Sequence, residues 1–364
     1  MKTGVAGCTL FLGERSPYGL SVARALLDGK LPVRRVLVPS MAAWGRVLAR
    51  ASGAGRSDAV GPAELFRRAL ARTSRLFDAG PTREVPGGEP IPPLHLDPGV
   101  TAEQLEAACR SAGIEWRQVD GIRAPGLPAS LAGDDLYLSA AFPMILPAAL
   151  LAAPAAGAIN FHPSLLPRCR GCHPIFWTLA TGETQGGVTA HFMTGQVDAG
   201  NIVAQIPLPL CEDDDYQSLY RRAMESSRAL VGRVEEFLAA GGGPGLPQDD
   251  ARATRFSEDR EEDHRVHWSG RSPAEIVALA RTGEAFTMVR GERLGILRAA
   301  VVHNVARERR AAPPGRVLAI NDDALVVEAS GGAVALRSLA WRGRGHGGGD
   351  LARALALKRG EVLG

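Results

Sequence analysis

The chain has 364 residues, enough for two domains with sizeable cores. Its 45% hydrophobic and 22% charged residues fit an ordinary soluble globular protein, and a net charge of +3 is too small to argue for nucleic-acid binding. Five cysteines, an odd number, speak against a disulfide framework and suit a reducing, cytoplasmic setting, while no run of 18 or more apolar residues marks a membrane span.

Residues 4–12 predict a first strand, Ser16 to Leu27 a helix and Val33 to Val38 a second strand. Strand, helix, strand in this order predicts a parallel sheet. Val5-Ala6-Gly7-Cys8 looks like a lipoprotein cleavage box but has no apolar stretch before it, so Cys8 is expected in a buried strand. No G-x-G-x-x-G follows that strand, which argues against dinucleotide binding.

Residues 41–83 are longer than a simple connection, with arginines at 46, 50, 56, 67, 68, 72, 75 and 83 against Asp58, Glu64 and Asp78. Glu64 to Asp78 has a helical pattern. The insertion either meets acceptor phosphates or presents a solvated face. Arg67 and Arg68 would project about 100° apart on a helix, which favours the solvated face. A Pro/Gly-rich connection follows over 81–99, and Thr101 and Gln104 form a capping box for a helix through Ser111.

Asp135 to Ala141 predicts a strand leading into Phe142-Pro-Met-Ile-Leu-Pro147, and Ala158 to Phe161 another. The second strand brings Asn160 and His162 to its carboxyl end, where open α/β sheets bind ligands. On extended backbone these two side chains share a side, and Pro163 keeps His162 extended. Downstream, Asp198 precedes Gly200, which permits a sharp turn. Asn, His and Asp converging would suit acyl-type transfer, with the amide facing an oxyanion, His moving a proton and Asp orienting it. Taken alone, they read more readily as unrelated loop residues.

The whole string carries more. Asn160-Phe-His162-Pro-Ser-Leu-Leu-Pro167, Arg170-Gly171, Pro174, Trp177, Gly182-Glu183, Gly187-Val-Thr189 and Asp198-Ala-Gly200 closely resemble 10-formyltetrahydrofolate-dependent formyltransferases. The resemblance implies catalytic roles for Asn160, His162 and Asp198. It also implies folate contacts from Phe142, Ile145, Leu146, Ser164 and Arg170, with no metal. Core packing is the alternative for Ile145 and Leu146. His191 alternates with apolar neighbours and is expected to be structural, and His173 takes no assigned role. Cys169-Arg-Gly-Cys172-His173 is a literal C-x-x-C-H, open to haem, zinc or redox readings, but inside this string both thiols are expected to be incidental.

Asp213–Asp215 predicts the start of a long helix to about Ala240, with the acids suiting its dipole. A linker is expected over 241–254. Beyond it, Ser272-Pro-Ala-Glu275 caps a short helix, and short alternating runs predict a small barrel. His267-Trp268, Pro314-Gly-Arg-Val-Leu318 and Lys358-Arg-Gly-Glu361 resemble, more loosely, the C-terminal OB-like domain of methionyl-tRNA formyltransferases. Gly343–Gly349 reads as a flexible loop.

The expected fold is α/β: an open, mainly parallel sheet with flanking helices over 1–240, and a smaller β-rich OB-like barrel over 255–364. The expected activity moves the formyl group of 10-formyltetrahydrofolate to a primary amine. A small metabolite, such as an amino sugar nucleotide or an amino-acid-derived amine, is favoured as acceptor over tRNA. The alternatives are a methionyl-tRNA formyltransferase, a formyltetrahydrofolate hydrolase and, from another class, a haem-binding electron carrier.

Overall fold

β1 (Cys8–Leu12) is buried at every position, as befits an apolar strand covered on both faces. Parallel to it lie β2 (Val33–Pro39) and, on the other side, β5 (Leu136–Ala140). The computed structural model describes residues 4–51, 88–90, 96–124, 126–303 and 313–364. The helix expected from Glu64 to Asp78, and with it Arg67, Arg68, Arg72 and Arg75, lies outside the described residues; Met41–Ala51 is helical.

β4 (Glu115–Val119) extends the sheet beyond β2, and β6 (Ala158–His162) extends it beyond β5, both parallel. β8 (Gln185–Phe192) and β9 (Ile202–Pro209) then close that side antiparallel, giving the order β4-β2-β1-β5-β6-β8-β9. The reversal at β8 places Asn160 opposite His191 and His162 opposite Thr189. Helices Pro17–Leu27 and Ser227–Ala239 bury Val22, Leu26, Leu230 and Val234 in the core that includes Leu10, Leu12 and Leu138.

Asp215 and Ser218 cap a helix over Tyr216–Glu225, but the single helix expected to Ala240 is two. At the junction the Ser226 hydroxyl donates to the Arg222 carbonyl, a back-bond that bends helices.

The C-terminal part is an antiparallel sheet. Its strands are β11 (Phe286–Val289), β12 (Glu292–Val302), β13 (Val317–Ile320), β14 (Leu325–Ala329) and β15 (Gly332–Trp341). They run in the order β11-β12-β15-β14-β13. Gly343–Gly349 is not a flexible loop. Arg342 and Gly343, both at positive φ, form a two-residue hairpin turn, and Arg344–Gly347 pairs back onto β15.

Two features tie this sheet to the catalytic half. The helix Pro174–Ala180 sends Ile175 and Leu179 into the first core and Phe176 and Ala180 into the second. The stretch expected as a linker runs along the catalytic half: Leu246 pairs with Ile202, and Arg255–Phe256 pairs parallel with Arg170–Gly171. Phe256 also stacks on Trp177 at 4.3 Å between ring centroids. Among the described residues no helix is long and apolar enough to cross a membrane.

Candidate active site

The structure brings Asn160, His162 and Asp198 together. β6 delivers the first two, and a turn between β8 and β9 delivers the third, with Asp198 at φ +53. The Asp198 carboxylate is the hub. Its Oδ2 accepts the Gly171 N–H at 2.8 Å and lies 3.6 Å from His162 Nδ1. Its Oδ1 lies 3.3 Å from His191 Nε2 and 3.4 Å from Asn160 Nδ2.

Two backbone carbonyls fix the imidazoles. His162 Nε2 lies 2.9 Å from the Cys169 carbonyl, and His191 Nδ1 lies 2.9 Å from the Phe192 carbonyl. A carbonyl only accepts, so each of these nitrogens carries a hydrogen. In the neutral His162 ring, Nδ1 is therefore the bare nitrogen, and it faces Asp198, as does His191 Nε2. Asn160 Nδ2 is 3.3 Å from His191 Nε2.

Burial pushes the Asp198 carboxyl up, but His162, His191 and the Gly171 N–H outweigh it and hold the group well below the usual carboxylate range. Burial pulls His162 down, and the nearby Asp198 charge only partly opposes that. At neutral pH the carboxyl is ionised and the His162 ring neutral; the part of the carboxyl's lowering that comes from His162 applies once that ring holds its second proton.

His191 was expected to be structural, yet it contacts the hub directly. The available signal was a lone imidazole in an apolar strand; its register opposite Asn160 is a long-range fact. Gln248 was also missed: its amide donates to the carbonyls of Asp198 and Gly200 at 2.9 and 2.7 Å.

The residues expected to contact folate are dispersed. Arg170 is 1% exposed, and its guanidinium is engaged by Gln248 and Asp250, so it is turned from open space. Ser164 is buried, donating to the Arg168 carbonyl while its own carbonyl accepts from Thr189. Leu146 lies in the core beside Leu150, Phe142 packs edge-on against Phe11, and Ile145 is 77% exposed. Ile145 thus keeps a surface able to meet a ligand, whereas Leu146, Ser164 and Arg170 are buried.

The C-x-x-C-H thiols lie in different surroundings, Cys169 buried and Cys172 half-buried. Cys169 is buried, and burial pushes Cys169 to about 11 and Cys172 to about 12, so both stay protonated. His173 instead opens a chain of alternating acids and imidazoles. Its nitrogens meet Glu258 and Asp259 at 2.9 and 3.2 Å, and His264 meets Asp259 and Glu284 at 2.7 and 2.9 Å. Burial lowers both histidines, but these carboxylates outweigh it and raise them, His264 to about 9. At His264 this describes a protonated ring with a carboxylate at each nitrogen.

A family model described as formyl transferase matches residues 129–234, and one described as the formyl transferase C-terminal domain matches residues 260–346. The methionyl-tRNA formyltransferase of Syntrophus aciditrophicus (strain SB) is 33% identical over 271 residues, covering 73% of this chain and 86% of the relative. That of Moorella thermoacetica is 34% identical over 210 residues, covering 56% and 66%. An N-formyltransferase from Helicobacter canadensis, solved with folinic acid and dTDP-3-aminofucose, shares the fold. Its TM-score is 0.54 at 12% identity, covering 92% of this chain and 99% of that one.

Proposed function

The chain belongs to the formyltransferase family, and from that membership we propose that it transfers the formyl group of 10-formyltetrahydrofolate to a primary amine. The observation that carries this reading is the convergence of Asn160, His162 and His191 on the ionised Asp198 carboxylate.

The amine nitrogen attacks the formyl carbon, and the carbonyl oxygen becomes an oxyanion. Asn160, with two N–H groups on its amide, donates to that oxyanion. The bare Nδ1 of His162 takes the proton the amine loses, and Asp198 stabilises the resulting imidazolium. Collapse breaks the bond from carbon to N10, and the proton held on His162 passes to N10, giving tetrahydrofolate and returning the ring to its neutral form. The catalytic unit is taken as residues 1–240 and the C-terminal unit as 255–364, with the segment 241–254 bracing the Asp198 turn between them.

For the acceptor, the relatives move the balance. The small amine favoured from sequence gives way to methionyl-tRNA, because the relative matched over 86% of its length is a methionyl-tRNA formyltransferase. That acceptor places the reaction in the cytoplasm. The rim supports a second reading, an amino sugar nucleotide or similar small amine. Residues 249–263 carry Asp249, Asp250, Glu258, Asp259, Glu261, Glu262 and Asp263 against Arg252, Arg255 and Arg260, an acidic excess that disfavours the approach of tRNA phosphates.

An acceptor assay with 10-formyltetrahydrofolate tests both, following tetrahydrofolate release and product mass with methionyl-tRNA and with dTDP-3-aminofucose. A tRNA acceptor gripped through several phosphates loses affinity steeply with salt, with a log–log slope of roughly −0.7 to −0.9 per contact. A small amine gives a shallow slope. Formate release at the same rate without any amine would instead make the protein a hydrolase.

A further inference from the structure

Asp198 is held at positive φ in a turn with no slack. A Cβ added at Gly200 would lie 1.8 Å from the Phe192 carbonyl oxygen, so the backbone there is pressed against β8. What holds the turn from its other side is Gln248, half-buried on the strap that runs on to Phe256. Arg170 Nε and Nη2 donate to Gln248 Oε1 at 3.0 and 2.7 Å, and Arg170 Nη1 pairs with Asp250 at 2.8 Å. A guanidinium has no acceptor, so this contact fixes which end of the amide is oxygen. The amide NH₂ must then face the turn, where its two hydrogens meet two carbonyls, Asp198 at 2.9 Å and Gly200 at 2.7 Å.

We infer that Gln248, oriented by the buried Arg170, is a positioning residue that clamps the Asp198–Gly200 turn and so keeps the Asp198 carboxylate among His162, His191 and Asn160. The inference rests on the catalytic reading of Asp198. The clamp comes from the strap rather than from the sheet. It therefore couples the packing of residues 246–256 to the geometry of the catalytic carboxylate, which sits on a turn six residues after the end of β8 and four before the start of β9.

Two variants separate positioning from scaffolding. Gln248→Glu keeps an acceptor for Arg170 but sets a carboxylate oxygen against the two carbonyls. Gln248→Met is close in shape and supplies neither contact. Both are expected to lower kcat about ten- to a hundredfold, the cost of a misplacement near 1 Å, with KM for 10-formyltetrahydrofolate unchanged. Methionyl-tRNA or dTDP-3-aminofucose serves as acceptor, whichever the wild type turns over. A readout free of substrate is nitrogen NMR of histidine-labelled protein: in Gln248→Met, His162 should titrate at lower pH than in wild type, because Asp198 no longer opposes the effect of burial. Wild-type kcat in either folded variant overturns the inference, as does an unchanged His162 titration in Gln248→Met. Asp198→Asn distinguishes the two levels of failure. If it stays active, the catalytic reading falls; if it is dead while the folded Gln248 variants are fully active, only the clamp falls.

Discussion

The carbonyl of Cys169 accepts the Nε2–H of His162 at 2.9 Å, and this one contact decides which nitrogen of the imidazole is bare. Cys169 sits at φ +56, within the tight path from Ser164 to Gly171. With Nε2 pinned, Nδ1 faces Asp198, and burial favours the neutral ring. A pH–rate profile should therefore fall on the acid side as His162 gains its second proton. Because its pKa is lowered from 6.5, that limb should lie below the range of an ordinary histidine. A limb centred above 6.5 would contradict the neutral-imidazole assignment.

Asn160→Ala, His162→Ala and Asp198→Asn should each reduce turnover by about 10²–10³ or more, with the fold intact by circular dichroism. His191→Leu should cost less than Asp198→Asn, because Asp198 keeps His162, Asn160 and Gly171 as partners. Single-turnover rates rank the four. Near-normal activity in the His162 variant would remove the site assignment.

What the sequence made legible was local. The apolar run within 4–12, the helix expected from Ser16 and the Thr101–Gln104 box each declare an element within a few residues; both helices form as expected, and the strand forms over Cys8–Leu12, the later part of its expected range. Asn160 and His162 could be placed together because one strand carries both. His191 and Gln248 were hidden for the opposite reason. His191 reaches the site through the antiparallel register of β6 with β8, and Gln248 through a strap 50 residues beyond Asp198. Arg170 shows the same limit, since a charge in a loop shows neither its burial nor the partner 78 residues on that engages it. The break at Ser226 depends on a choice between side-chain and backbone bonding that helical periodicity does not register.

The cysteines give a sharper test of how the loop works. Cys169 contributes its carbonyl to His162, and that atom survives any side-chain change. Cys169→Ser with Cys172→Ser should therefore leave kcat close to wild type. Elemental analysis of the wild type should find no stoichiometric zinc, and its spectrum no Soret band. Zinc that is bound by the wild type and lost in the double variant would overturn this account.

Gly200→Ala should do what no cysteine change does. Its Cβ would meet the Phe192 carbonyl oxygen at 1.8 Å and carbon at 2.8 Å, and backbone cannot swing aside as a flexible side chain would. Relief must come from moving the turn that carries Asp198. The variant should lose about 1–3 kcal/mol of stability, as overpacked sites do, and more activity than that loss explains at a temperature where it is fully folded. Urea melts beside single-turnover rates measure both. Full activity would mean that the turn is free to shift without displacing Asp198.

His264 makes the stability itself depend on pH. Its ring is nearly buried, 2.7 Å from Asp259 and 2.9 Å from Glu284, and Phe176 lies 4.8 Å away between ring centroids. Burial alone would lower it, but the two carboxylates raise it to about 9. A group raised on folding binds its proton more tightly in the native state, so its contribution is complete below the unfolded value near 6.5. That contribution is lost as pH rises toward and through about 9. At about 1.4 kcal/mol per unit, the raised proton affinity is worth up to about 3 kcal/mol. Urea unfolding at intervals from neutral pH to pH 10 should show wild-type stability declining across this window. His264→Gln should be less stable at neutral pH and show a flatter decline. A residual slope should remain from His173, which Glu258 and Asp259 raise in the same direction. Parallel curves for the two proteins would mean that His264 carries no extra proton in the folded state.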